Sequence, residues 1–217
     1  ADPAVKETSE LIRSGFRRLS TDRLAQLLAH ANLRVRQRAQ FELAARGADS
    51  LAPLRQTLTT SSNRLARLHA LWCLGQLAAP RGQRAENSLS IRTNAAEAIF
   101  SVVNDNDTEI KAWAARLSGE HNHPAALPTL AKLLSDASPR VRLFAALAMS
   151  HLDIPQEIPE LLTLLRENNN ADPWIRHACV MVLAKWASTD PPSRFRSIAR
   201  DQSPAVRLAA VLALRHQ

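Results

Sequence analysis

Six times along the chain an apolar anchor is followed at once by a cation. Small or apolar side chains then recur four and eight residues after the anchor. The anchors are Val35, Ala66, Ile110, Val141, Ile175 and Val206, and their spacings are 31, 44, 31, 34 and 31 residues. Four residues on stand Ala39, Ala70, Ala114, Ala145, Cys179 and Ala210; eight on stand Leu43, Leu74, Ser118, Met149, Leu183 and Leu214. Positions 0, 4 and 8 share one face of a helix. The small residue at the middle position lets a second helix approach closely. Three residues before each anchor lies Asn32, Asn63, Asp107, Ser138, Asp172 or Ser203, all residue types that cap a helix by accepting from its free first-turn N–H groups. In the last three copies Pro139, Pro173 or Pro204 follows, at the first helical position where a missing N–H leaves no bond unmade. The pattern predicts helices beginning near 32, 63, 107, 138, 172 and 203.

A shorter apolar segment precedes several of these helices. "PLRQTL" (Pro53–Leu58), "PTLAKLL" (Pro128–Leu134) and "PELLTLL" (Pro159–Leu165) carry proline in matching register, the third displaced by the "NNN" of Asn168–Asn170. The unit is therefore helix, polar turn, helix, of about 31 residues. Units of this size that cannot bury an apolar face alone stack into solenoids. The expected fold is all-α, a right-handed α-solenoid of about six helix pairs. It would form a single domain over 19–217, after a lead-in at 1–18 that is partly helical. The one long spacing holds "APRGQRAENSLSIR" (Ala79–Arg92), expected as an inserted, exposed loop. The last copy runs to Gln217 with its seam still apolar, whereas Arg38, Glu42 and Arg46 give the first copy a polar face with spacing for two ion pairs. The expectation is a fragment of a longer protein.

Composition changes this picture little: 46% hydrophobic residues and 5 glycines suit a helical chain, and no run approaches the ~18 apolar residues of a membrane span. Charge changes it more. The net charge is +8, and only four of the 28 basic residues are lysine. Such a balance favours acidic partners. The cations after the anchors, Arg36, Arg67, Lys111, Arg142, Arg176 and Arg207, form a ladder with one rung per repeat. One role for the ladder is to contact phosphates or an acidic partner. The favoured role is structural, each rung bonding caps or carbonyls, with Asn63, Asp107 and Asp172 as acceptors, because a feature written into every repeat serves the repeat. A cation in the first turn faces the positive end of the helix dipole and needs a compensating acceptor. The basic residues are spread over the whole chain, and 4% aromatic residues without tyrosine make a poor base-stacking platform. Trp72, Trp113, Trp174 and Trp186 are accordingly expected in the core.

Catalytic and metal chemistry find no foothold. His121 and His123 in "GEHNHP" lack third and fourth ligands for a metal. "NDNDTE" (Asn104–Glu109) lacks the mid-loop glycine and late glutamate of a calcium loop. Glu42, His69 and Ser118 do not form a triad order, and no glycine-rich phosphate loop or CxxC is present. Cys73 and Cys179, three repeats apart, are expected as buried thiols with no disulfide. The chain is thus expected to be non-enzymatic, without cofactor or metal.

The "VR" helix pairs with their first-helix prolines resemble HEAT repeats. More narrowly, "NLRVRQRAQFELAARG" (Asn32–Gly47), "NRLARLHALWCLGQLA" (Asn63–Ala78), "SPRVRLFAALAMSHL" (Ser138–Leu152) and "LLRENNNADPWIRHACVMVLA" (Leu164–Ala184) resemble the HEAT-repeat region of large bacterial membrane-bound dehydrogenases. The resemblance runs over roughly Leu19–Ala187. In that family the repeats follow a β-propeller similar to sugar dehydrogenases and precede a cytochrome c domain. It implies an extracytoplasmic protein in which the repeats hold flanking domains or a protein partner. It transfers no active-site residue, since neither propeller nor CxxCH haem motif occurs here. The alternative is nucleic-acid binding through a basic concave face, as in HEAT-like DNA alkylation-repair glycosylases.

Overall fold

The computed structural model describes residues 3–79, 85–153, 159–187 and 195–216, and no β-strand occurs among them. Two compact units divide the chain, Ala1–Val102 and Val103–Gln217. The first holds α1 (Pro3–Ser14), α2 (Thr21–Leu27), α3 (Leu33–Arg46), a 3-10 turn (Gly47–Ser50), α4 (Leu51–Thr60), α5 (Arg64–Ala78) and α6 (Ala85–Phe100). The second holds α7 (Thr108–Glu120), α8 (Ala126–Leu133), α9 (Pro139–Met149), α10 (Pro159–Asn168), α11 (Pro173–Ala187), α12 (Phe195–Ile198) and α13 (Pro204–Leu214). The six anchored helices α3, α5, α7, α9, α11 and α13 each begin one residue after the cap position read from the sequence.

Capping differs between the copies. Asn32, Asn63, Asp107 and Asp172 accept from first-turn amides at 2.8–3.2 Å. Ser138 and Ser203 make no such bond. In their place Asp136 and Asp201, two residues earlier, accept from the Ser138 and Ser203 amides, both at 2.8 Å.

The anchored helices stack on one another, α3 on α5 in the first unit and α7 on α9, α9 on α11, α11 on α13 in the second. Anchors and middle-seam residues are buried throughout, and so are the residues eight after the anchors except Leu214. Gly119 shows how closely the seam packs. A Cβ built on it would lie 2.6 Å from Ala148 Cα, and closer still to the Ala148 carbonyl oxygen. Ala145, fully buried on α9, belongs to the same seam. Ala145→Leu is expected to cost about 2 kcal/mol by overpacking. Urea denaturation midpoints of wild type and variant check this, and an unchanged midpoint would contradict the seam.

The stretch expected as an exposed loop, 79–92, is corrected from Ala85 onward, where α6 begins; residues 80–84 lie outside the described residues. Ala95, Ala98 and Ile99 give α6 a buried face against α5, and a helix anchored there extends backward through polar residues. Arg92 lies within it, its Nε donating to the Ala78 carbonyl at 3.2 Å. Of the two ion pairs expected on α3, Arg46–Glu42 forms at 3.3 Å, while Arg38 has no side-chain partner among the described residues.

Candidate functional site

The cation ladder is placed by the turn before each anchored helix. Arg36 Nη1 donates to the His30 and Ala31 carbonyls at 2.7 and 2.8 Å. Arg142 Nη1 does the same to Asp136 and Ala137 at 2.8 and 3.2 Å, and Arg207 Nη1 to Asp201 and Gln202 at 2.7 and 2.9 Å. These acceptors lie five and six residues before the cation. A first-turn side chain that folds back over the helix end therefore meets the carbonyls of its own turn. Arg67 Nε reaches the Leu58 carbonyl at 2.7 Å. Lys111 instead crosses to the next repeat and pairs with Asp136 at 2.9 Å. Arg176 has no side-chain hydrogen bond or ion pair among the described residues. The acceptors are thus mainly main-chain carbonyls, while the side chains of Asn63, Asp107 and Asp172 are engaged with helix N–H groups.

A residue row absent from the sequence reading organises these turns. Five before the anchors stand His30, Ser61, Asp105, Asp136, Asn170 and Asp201. Five of them accept from the amide of the cap residue at 2.8–3.1 Å. In the Asn170 copy, Asn169 and Asn170 take left-handed φ of 40° and 64°, and Asn168 closes the longer turn with bonds to both Asp172 N and O. The Asp136 carboxyl is pushed up by burial, but the Ser138 amide and Lys111 outweigh this and hold it below the ordinary 3.8. Asp201 is held low chiefly by Arg166, which donates at 2.6 Å, and then by the Ser203 amide. These carboxylates work on the fold.

One rung is buried. Arg36 also donates from Nε to His69 Nε2 at 3.2 Å, and the opposite ring nitrogen lies 2.7 Å from Gln40 Oε1. With Nε2 accepting, the proton sits on Nδ1 and the ring is neutral. Burial, and secondly the Arg36 charge, push the His69 pKa below 6.5.

The exposed side of the anchored helices is the other feature of note. The position one before the anchor is exposed or half-buried in five of the six copies, whereas the position three after it is buried in four, at His69, Phe144, Ala178 and Ala209. In the second unit Trp113 and Phe144 meet edge to face at 5.2 Å, Arg116 lies 5.4 Å from each ring, and Arg140 lies 4.7 Å from Phe144. Glu120 and Glu109 pair with these two arginines at 2.6 Å each. Trp174, one before its anchor, is 70% exposed. The expectation of core tryptophans holds for Trp186 and is corrected for Trp174, because the position before the anchor points away from the seam. In the first unit the same side exposes Phe41 and Leu65.

The remaining candidates are accounted for locally. Asp105 and Asp107 are committed to the turn before α7. His123 Nδ1 accepts from the Ala125 amide at 3.3 Å, and no group of three His, Cys, Asp or Glu able to hold a metal occurs among the described residues. Cys73 and Cys179 are buried free thiols, the latter pushed up to about 12 by burial. Glu42 pairs with Arg46, His69 with Arg36, and Ser118 is buried within α7.

Residues 96–172 match the family model of HEAT repeats. Solved structures extend that likeness to nearly the whole chain. An engineered protein matches with TM-score 0.57 at 18% identity, covering 91% of this chain and 98% of its own. YIBA_ECOLI matches with TM-score 0.58 at 21% identity, covering 91% and 71%. A designed armadillo repeat protein, solved in complex with the peptide (KR)4, matches with TM-score 0.52 at 17% identity, covering 91% and 99%. No curated protein matches the chain. The fold is that of HEAT- and armadillo-like helical-repeat proteins, an α-solenoid class. No helix among the described residues is long and apolar enough to cross a membrane.

Proposed function

We propose that the chain is a non-catalytic HEAT-like scaffold that holds a protein partner, or flanking domains of the same polypeptide, on the exposed side of its anchored helices. The observation that carries this is the exposure there of large apolar side chains, Trp174 at 70%, Phe41 at 57% and Leu65 at 46%. Contiguous exposed apolar surface marks interaction sites, and Phe41 and Leu65 lie on the mutually packed helices α3 and α5. A designed armadillo repeat protein of similar fold is described in complex with the peptide (KR)4. A setting within a larger bacterial dehydrogenase-like polypeptide outside the cytoplasm rests on the sequence resemblance of the four segments quoted above. Nucleic-acid binding is disfavoured because five of the six ladder cations are occupied by carbonyls or a carboxylate.

Selection from a randomised peptide display library tests the reading. The expected result is peptide ligands of which some lose binding in Phe41→Ser and others in Trp174→Ser. Failure to enrich any peptide, together with salt-sensitive binding of a DNA duplex, would overturn it.

A further inference from the structure

We infer that the exposed stripe of α3 together with the start of α5 is a docking site for an acidic, extended segment of a partner protein. This inference names the partner class for the scaffold reading and rests on it. Charge is unevenly divided between the two units. Ala1–Val102 contains 15 basic against 8 acidic residues, a net of +7, and Val103–Gln217 contains 13 against 12, a net of +1. The overall +8 is therefore almost wholly a property of the first unit.

Within that unit the cations differ in how they are used. Arg36 is buried against carbonyls and His69, Arg46 is paired with Glu42, and Arg23 with Glu7 at 3.3 Å. Arg34 and Arg38 are exposed, and neither side chain has a partner among the described residues. They stand four apart on one helix face, where like charges repel and an isolated helix is weakened. On α7 and α9 of the second unit the outward cations are paired, Arg140 with Glu109 and Arg116 with Glu120. Helix α3 thus presents two unneutralised guanidiniums where α7 and α9 present closed ion pairs.

The neighbours of these arginines are apolar. Phe41 continues the stripe three residues beyond Arg38, and Leu33 and Leu65 are about half exposed. Leu65 occupies on α5 the position Arg34 occupies on α3. Across α7 and α9 the equivalent two positions, Glu109 and Arg140, touch at 2.6 Å. Spacing then selects the partner. Four helical residues rise about 6 Å, and alternate residues of an extended strand lie about 6.6 Å apart on one face. Two acidic residues separated by one residue can each meet one arginine as charge-assisted pairs, and the next residue on that face, if apolar, meets Phe41.

The test is fluorescence anisotropy of a labelled peptide, Gly-Glu-Ser-Glu-Ser-Phe-Gly, with the full chain at physiological salt. A Lys-for-Glu counterpart and a single-stranded DNA dodecamer are the comparison probes. Binding of the acidic peptide alone is expected. It should weaken about tenfold or more in Arg34→Glu/Arg38→Glu, as loss of charged hydrogen bonds requires, and clearly in Phe41→Ser, with unchanged circular dichroism. Arg196→Gln/Arg200→Gln, which removes two exposed charges from the second unit, should leave it unchanged. No binding, equal binding by the charge-reversed protein, equal loss in the second-unit variant, or tighter binding of either comparison probe would each overturn the inference. Display selection that returns ligands lacking acidic residues would overturn it while leaving the scaffold reading in place.

Discussion

Gly119→Ala is expected to destabilise the protein by about 3 kcal/mol, although alanine is the better helix former by ~1 kcal/mol. Gly119 lies inside α7, so the exchange would be favourable on an isolated helix. In the stack the added methyl would meet the Ala148 backbone on α9, with its Cα and carbonyl carbon both 2.6 Å away. Main chain cannot swing aside as a flexible side-chain end can. Relief requires α7 and α9 to separate, and that loosens Ala114 and Ala145, which are fully buried in the same seam. Thermal and urea unfolding check this. A variant as stable as wild type would mean that α7 and α9 do not approach this closely.

Arg36→Ala is expected to cost about 3 kcal/mol, from loss of charged hydrogen bonds and from orphaning buried acceptors. The change strips donors from the His30 and Ala31 carbonyls and from His69 Nε2. The same cluster gives stability a pH dependence of defined sign. The folded chain holds the His69 pKa below 6.5, by burial first and Arg36 second. Above that pH His69 is neutral in both states and contributes no slope. As pH falls below 6.5 the unfolded chain takes up a proton that the folded chain refuses, so stability declines until the depressed folded pKa is reached. Melting temperature from pH 8 to 5 should fall less in His69→Gln than in wild type. A variant with the same decline would place the acid sensitivity elsewhere.

The helix pairs were legible because each copy states its own start. A short polar cap, an apolar anchor and small residues at helical spacing are local signals, and six repetitions reinforce one another. The helical character of residues 85–92 was not legible, since "AENSLSIR" is polar and its reason to be helical is the buried face of Ala95, Ala98 and Ile99 downstream. The acceptors of the ladder were legible only as a class, caps or carbonyls. Carbonyls carry no sequence signal, whereas the cap side chains that the sequence suggested were spent on helix amides. The row His30, Ser61, Asp105, Asp136, Asn170 and Asp201 could have been found by carrying the alignment two residues further back, where every copy holds a turn-forming polar group or histidine. Composition alone points Trp174 to the core. Its register, shared with Arg34, Glu109 and Arg140, marks an outward position.

The division of labour between ladder and exposed face is tested most directly by one doubly substituted protein, Arg142→Gln/Arg207→Gln. Its unfolding free energy and its affinity for a display-selected peptide are measured side by side. Both side chains close their turns on two carbonyls. The expected result is a loss of about 2 kcal/mol in stability, on the usual worth of such bonds, with peptide affinity unchanged. Unchanged stability with lost binding would contradict the account and make the ladder the binding surface.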